Sequence, residues 1–161
     1  MKIIHHTNDF EEYENLDELS LADKQLIEEA KLAANDAYAP YSKFHVGAAL
    51  LLENGTIVRG NNQENAAYPS GLCAERVALF SAGANYAGIK ILAIAIHAYS
   101  ENFKNHPQAV GPCGACRQVM AEYEHRYHGK LRLIMQGEKE KYIVSHNVNQ
   151  LLPFMFNADN L

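Results

Sequence analysis

Apolar positions along the chain switch between two periods, and the switches mark out the elements. Leu26, Ile27, Ala30, Ala33, Ala34 and Ala37 recur at helical spacing behind Ser20, a side chain suited to cap a helix. A helix is expected from about 20 to 37, stopped before Pro40. The apolar run Val46 to Leu52, the dipeptide Asn54-Gly55 and the segment 56–61 read as a hairpin, with Asn54 and Gly55 supplying the two left-handed positions of a type I′ turn. Ala74, Val77, Ala78 and Ala82 then share one side of a helix that ends before Gly88. Ile89 to Ala98 is almost unbroken apolar and β-type, as a central strand covered on both faces requires.

After a loop at 99–112, a helix opens at Cys113 and closes at Gly129. Strands are expected at 131–135 and 142–146, joined by a turn at 137–141 and followed by a short helical piece running into Leu151-Leu152-Pro153-Phe154-Met155-Phe156. A connection that short cannot carry a parallel crossover, so these last two strands should be antiparallel. The order α, β, β, α, β, α, β, β, α implies a three-layer α-β-α fold around a five-stranded mixed sheet. Residues 1–19 read as an N-terminal arm, a short strand or extended stretch followed by an acidic, aromatic-dotted segment, and 20–161 as one domain.

Composition narrows the function classes. Lys and Arg number 14 against 19 Asp and Glu, a net charge of −5, so the summed field repels a phosphate backbone and argues against nucleic acid. The first residues lack a long apolar core and no run approaches a membrane span, so neither export nor a membrane is expected. Three cysteines, two of them at CxxC spacing, fit reduced thiols and a cytoplasmic protein better than a disulfide framework.

Those cysteines carry the candidate chemistry. Cys73 and the pair Cys113 and Cys116 each stand at the start of an expected helix, and Glu75 lies two residues after Cys73. Three protein ligands suit a catalytic Zn²⁺, because a structural site closes with four and a catalytic one keeps a place for water. Glu75 is then the candidate acid and base beside that water; its bland alternative is a first-turn acid serving the helix dipole. Three thiolates outweigh the charge of the ion, so helix N-termini and a neighbouring cation should offset them. Arg76 and Arg117 are the candidates, although either could be a solvated surface side chain.

The segments AYAPYSKFHVGAAL, NNQENAAY, CAERVALF, PCGACRQV and LLPFMF, in that order, resemble the cytidine deaminases, specifically their small, three-cysteine, homotetrameric kind. A Cys-x-Glu followed by Pro-Cys-x-x-Cys is the signature of zinc deaminases. The resemblance implies hydrolytic deamination of cytidine and deoxycytidine, one zinc per subunit, and sites completed by neighbouring subunits. It assigns Asn62 and Glu64 to the ribose, Phe44 to the base and sugar pocket, and the Ala74 backbone to the pyrimidine. Ala66, Ala67 and Tyr68 would reach a neighbour's site, and Phe156 would stack on a base across the interface. Phe44 could equally be core, and Phe156 an anchor for the tail. The chain departs from the family pattern in its arm, in a PSGL insert before Cys73 and in the loop at 99–112.

Glu64 implies a free nucleoside, since a carboxylate accepts from a hydroxyl but repels a phosphate. The rivals are a deaminase of another aminopyrimidine such as blasticidin or of bases in nucleic acid, a structural zinc module closed by a histidine, and a thiol redox protein. The last leaves Cys73 and Glu75 unexplained. None of the eight histidines has metal-pair spacing with the cysteines, and none is assigned a role.

Overall fold

The computed structural model describes residues 1–100, 109–137 and 140–161. Most of the expected loop at 99–112 and the middle of the turn at 137–141 therefore lie outside the described residues. Six strands are present among the described residues: β1 Glu11–Tyr13, β2 Phe44–Leu52, β3 Ile57–Asn61, β4 Ile91–Ser100, β5 Arg132–Gln136 and β6 Tyr142–Ser145. They form one sheet in the order β1-β6-β5-β4-β2-β3, with β4 and β5 parallel and every other neighbouring pair antiparallel. Three helices cover it: α1 Leu21–Asn35, α2 Ala74–Asn85 and α3 Gly114–Arg126. The mixed, three-layered architecture and the antiparallel final pair are as expected.

The pleat of β4 divides the core in two. Ile94 and Ile96, with Leu50, Leu133 and Met135, meet Ala78 and Leu79 of α2 and Cys116 and Met120 of α3. Ala93 and Ala95, with Ala49, Ile134 and Val144, meet Leu26, Ile27 and Ala30 of α1. The α1 side uses small residues, and helix and sheet approach closely there. A Cβ on Gly47 would collide with the Ala30 carbonyl and the Ala34 amide.

Four local details differ from expectation. The sheet has six strands, not five, because the arm adds β1 to the β6 edge, pairing Glu12 with Ile143. Lys141 sits beside this added strand and bonds Glu12 and Glu14, each at 2.9 Å. Helix α1 is capped by Ser20, whose Oγ accepts from Asp23 N at 3.1 Å, but ends at Asn35. Tyr38 is drawn off the helical path by bonds to Asn62 and Glu64.

The β2–β3 turn is not type I′. Only Gly55 has positive φ, at 82°, while its amide donates to Leu52 and Leu52 donates to Thr56, so a wider turn with a single left-handed residue closes the hairpin. At the end of α3 the left-handed cap is His128, at φ 49°, and the next residue, Gly129, returns its amide to the Glu124 carbonyl. A Cβ at Gly129 would meet the flexible end of the Lys90 side chain, which can swing away, so the helix end does not itself demand glycine there.

Candidate active site

Cys73 is the N-cap of α2 and Cys113 the N-cap of α3, and neither thiol makes a capping bond to the backbone of its own helix. The thiols are thereby left to face one another. Gly60 admits α2 closely against β3, since a Cβ would run into the backbone of Ala74 and Ala78. The buried Tyr123 hydroxyl donates to the Leu79 carbonyl at 2.7 Å and ties α3 to α2. With both helices fixed on the same face, their N-termini converge.

Cys73 Sγ lies 3.8 Å from Cys113 Sγ, Cys113 Sγ lies 3.5 Å from Cys116 Sγ, and all three sulfurs fall within 4.8 Å of one another. A tetrahedron with Zn–S bonds of ~2.3 Å has edges of about 3.8 Å, so donor type and spacing both fit zinc. Among the described residues this is the one cluster of three such donors. Cys73 is held down at about 5, first by its hydrogen bond with Cys116 and then by Arg76 and Cys113, against the opposing effect of burial. Cys116 is driven up by that same bond and by burial. Arg76 Nη2 reaches Cys73 Sγ at 3.7 Å, and that contact raises the Arg76 pKa.

Glu75 stands in the first turn of α2 and is only 5% exposed. Burial lifts its carboxyl from 4.5 to about 6, with the Cys73 thiolate adding to the effect. A cleft of about 940 Å³ opens over it, lined by Cys73, Glu75, Arg76 and Cys113 at one end and by Phe44, Asn62 and Glu64 elsewhere. Ala66, Tyr68 and Ala74 also line it. A second cleft of about 330 Å³, between His6 and Lys130, contains no cysteine.

Asn62 bridges the start of β2, accepting from Val46 N at 2.7 Å and donating to the Phe44 carbonyl at 2.9 Å. Glu64 Oε2 accepts from the amides of Tyr41 at 2.9 Å and Ser42 at 3.3 Å. A hydrogen bond from the Ser42 side chain, and then these two amide bonds, hold the Glu64 carboxyl below its usual range.

Arg117 sits apart from this set. Its guanidinium donates to the carbonyls of Pro112 and Leu151, both at 2.8 Å, and so braces the loop before Cys113 rather than a sulfur. Phe156 is 58% exposed, and its carbonyl accepts from Gln118 at 2.7 Å. Tyr68 is 91% exposed although it borders the cleft. Sequence reasoning missed Tyr41, Ser42, Val46, Ile96 and Leu72 as lining residues. The position of Ile96 near the end of the central strand was the available signal; for Tyr41 and Ser42 there was only a turn-forming loop.

The zinc-binding region that characterises cytidine and deoxycytidylate deaminases matches residues 21–127. The chain belongs to this family. Among its relatives, a cytidine deaminase of Halalkalibacterium halodurans is 44% identical, with 86% of this chain and 96% of that protein covered. One from Sporosarcina psychrophila is 42% identical, over 86% of this chain and 93% of that protein. The crystal structure of cytidine deaminase from Burkholderia pseudomallei superimposes with a TM-score of 0.69 at 41% identity, covering 82% of this chain and 97% of that one.

Proposed function

We propose that the chain is a cytidine deaminase, converting cytidine and deoxycytidine to uridine and deoxyuridine with release of ammonia, with one zinc ion held by Cys73, Cys113 and Cys116. The observation that carries this reading is the convergence of three thiols at two helix N-termini beside a buried carboxyl, at one end of a cleft large enough for a nucleoside. When bound, zinc supplies the Lewis acidity that makes water a nucleophile at neutral pH.

The protons belong to Glu75. It takes one from the attacking water and passes it to N3 of the cytosine ring as C4 is attacked, then takes the second from the hydroxyl now on C4 and delivers it to the departing amino group, leaving the C4 carbonyl. A carboxyl lifted to about 6 both accepts and returns a proton near neutral pH at low cost. Arg76 and the two helix N-termini offset the thiolate charge, and the Ala74 backbone lies along the pyrimidine. Phe44 lines the base and sugar pocket, while Asn62 and Glu64 take sugar hydroxyls. The Glu64 carboxylate favours nucleosides over nucleotides by charge.

Residues 20–161 act as one catalytic domain with 1–19 as an arm. The exposure of Tyr68 and Phe156, with Ala66 and Ala67 beside the former, suits a homotetramer whose sites are completed by neighbours. Among the described residues no helix is long and apolar enough to cross a membrane. We place the enzyme in cytoplasmic pyrimidine salvage, without a nucleic-acid partner, in keeping with its net charge of −5.

The test is incubation of zinc-loaded protein with cytidine, deoxycytidine, CMP and blasticidin, following ammonia and the deaminated product. Uridine and ammonia in equal amounts are expected. CMP turned over as efficiently as cytidine would overturn the role of Glu64, and a monomer active by light scattering would overturn shared sites.

A further inference from the structure

Asn62 and Glu64 are gripped by a single stretch of chain. Residues 38–46, running from the end of α1 into β2, bond both side chains and also both backbones: Tyr38 N donates to the Asn62 carbonyl at 3.0 Å, Asn62 N to Val46 at 3.1 Å, and Glu64 N to Tyr38 at 2.9 Å. The two amides on Glu64 both go to Oε2, and the Ser42 hydroxyl also bonds this carboxylate. An ionised carboxylate has about four acceptor positions, two on each oxygen, so the two amides fill Oε2 and, with the Ser42 hydroxyl taking one more, the position left for a substrate hydroxyl lies on Oε1.

The grip depends on the shape of a short loop. Lys43 is left-handed, at φ 56°, a conformation that disfavours a side chain and persists only where surrounding bonds fix it. Two such bonds flank it. Lys43 N donates to the Ala39 carbonyl at 3.1 Å, and Ser42 Oγ accepts from Phe44 N at 3.0 Å. The second runs from side chain to backbone and can be removed without disturbing the packed core, because Ser42 is exposed.

We propose that Ser42 is a positioning residue for sugar recognition: by holding loop 39–44 in its left-handed turn, it directs the Tyr41 and Ser42 amides onto Oε2 of Glu64 and reserves Oε1 for a substrate hydroxyl. Ser42 touches no reacting atom. It acts through Glu64, and its effect is confined to substrates carrying the hydroxyl that Glu64 accepts. The inference rests on the deaminase reading given above.

The test uses the full-length, zinc-loaded protein and three substrates: cytidine, 2′-deoxycytidine and 3′-deoxycytidine. Ser42→Ala should raise KM for cytidine roughly tenfold, the scale of one hydrogen bond to a charged group, with kcat changed by less than about twofold. For one of the two deoxy substrates, the one lacking the hydroxyl that meets Glu64, the KM of variant and wild type should agree. Ser42→Thr, which keeps an acceptor oxygen at the same place, should restore the cytidine KM.

An equal rise on all three substrates would mean general loosening of the cleft and overturn the proposal. So would an unchanged cytidine KM, or a Ser42→Ala chain that no longer folds. A wild-type protein that deaminates none of the three overturns the deaminase reading itself and this inference with it; normal wild-type turnover with a uniform Ser42→Ala defect overturns the inference alone.

Discussion

Replacing Glu75 by glutamine should move activity and stability in opposite directions. The substitution keeps the size of the side chain and removes its titration. In the folded chain burial lifts the carboxyl from 4.5 to about 6. Between those values the folded state holds a proton that the unfolded state has released, so stability falls as pH rises through the window, and the loss persists above it. An interval of about 1.5 pH units corresponds to about 2 kcal/mol at pH 7 and above.

Glutamine carries no charge to bury. Chelator-treated, reduced Glu75→Gln should therefore be more stable than equally treated wild type by about 2 kcal/mol at pH 8 and by almost nothing at pH 4, read from urea unfolding. The zinc-loaded variant should keep one metal ion per chain and lose deamination by about 10⁴-fold, the upper range for a positioned acid and base. Near-normal turnover with zinc bound would refute the proton-transfer role. Equal stabilities at pH 8 would refute the cost assigned to the buried carboxylate.

Cys116→Ser should leave less than one zinc per chain after dialysis and no measurable deamination, since a buried hydroxyl is a poor substitute for a thiolate; full zinc content by metal analysis would show that two sulfurs suffice. Gly47→Ala should cost about 3 kcal/mol in denaturant unfolding, because the new methyl meets backbone of α1 that cannot rotate away. A wild-type midpoint would contradict the close approach of helix and sheet. Lys141→Ala should lower Tm slightly, with a smaller effect as salt rises and no change in turnover, because its bonds to Glu12 and Glu14 are exposed and serve the arm. A change in kcat would tie the arm to the site.

Where a periodic run was long, the residues announced their element. Leu26, Ile27, Ala30, Ala33 and Ala34 face the sheet, and Ile94 and Ile96 alternate with Ala93 and Ala95 across β4. Failures occurred where one local choice depended on a distant partner. Three residues, Glu11 to Tyr13, have no pattern of their own and become a strand because the β6 edge is open beside them. The left-handed end of α3 falls on His128, one residue before the glycine that a local rule for helix ends selects.

The same distinction separates the two halves of the candidate site. The thiols are set by rigid parts: two helix starts on one face of the sheet, with Ala74, Ala78 and Met120 wholly buried in the helices that carry them. Short spacing within each motif fixes them, so the sequence is sufficient to find them. The proposed sugar contacts are set by segments 38–46 and 62–64, which meet through backbone bonds across more than fifteen residues and have no motif in common. Damage to the helices should therefore appear as lost zinc and lost turnover together, whereas damage to the loops should appear in KM and in the ranking of substrates. A loop substitution that removed zinc while leaving KM intact would mean that these two assemblies are mechanically one.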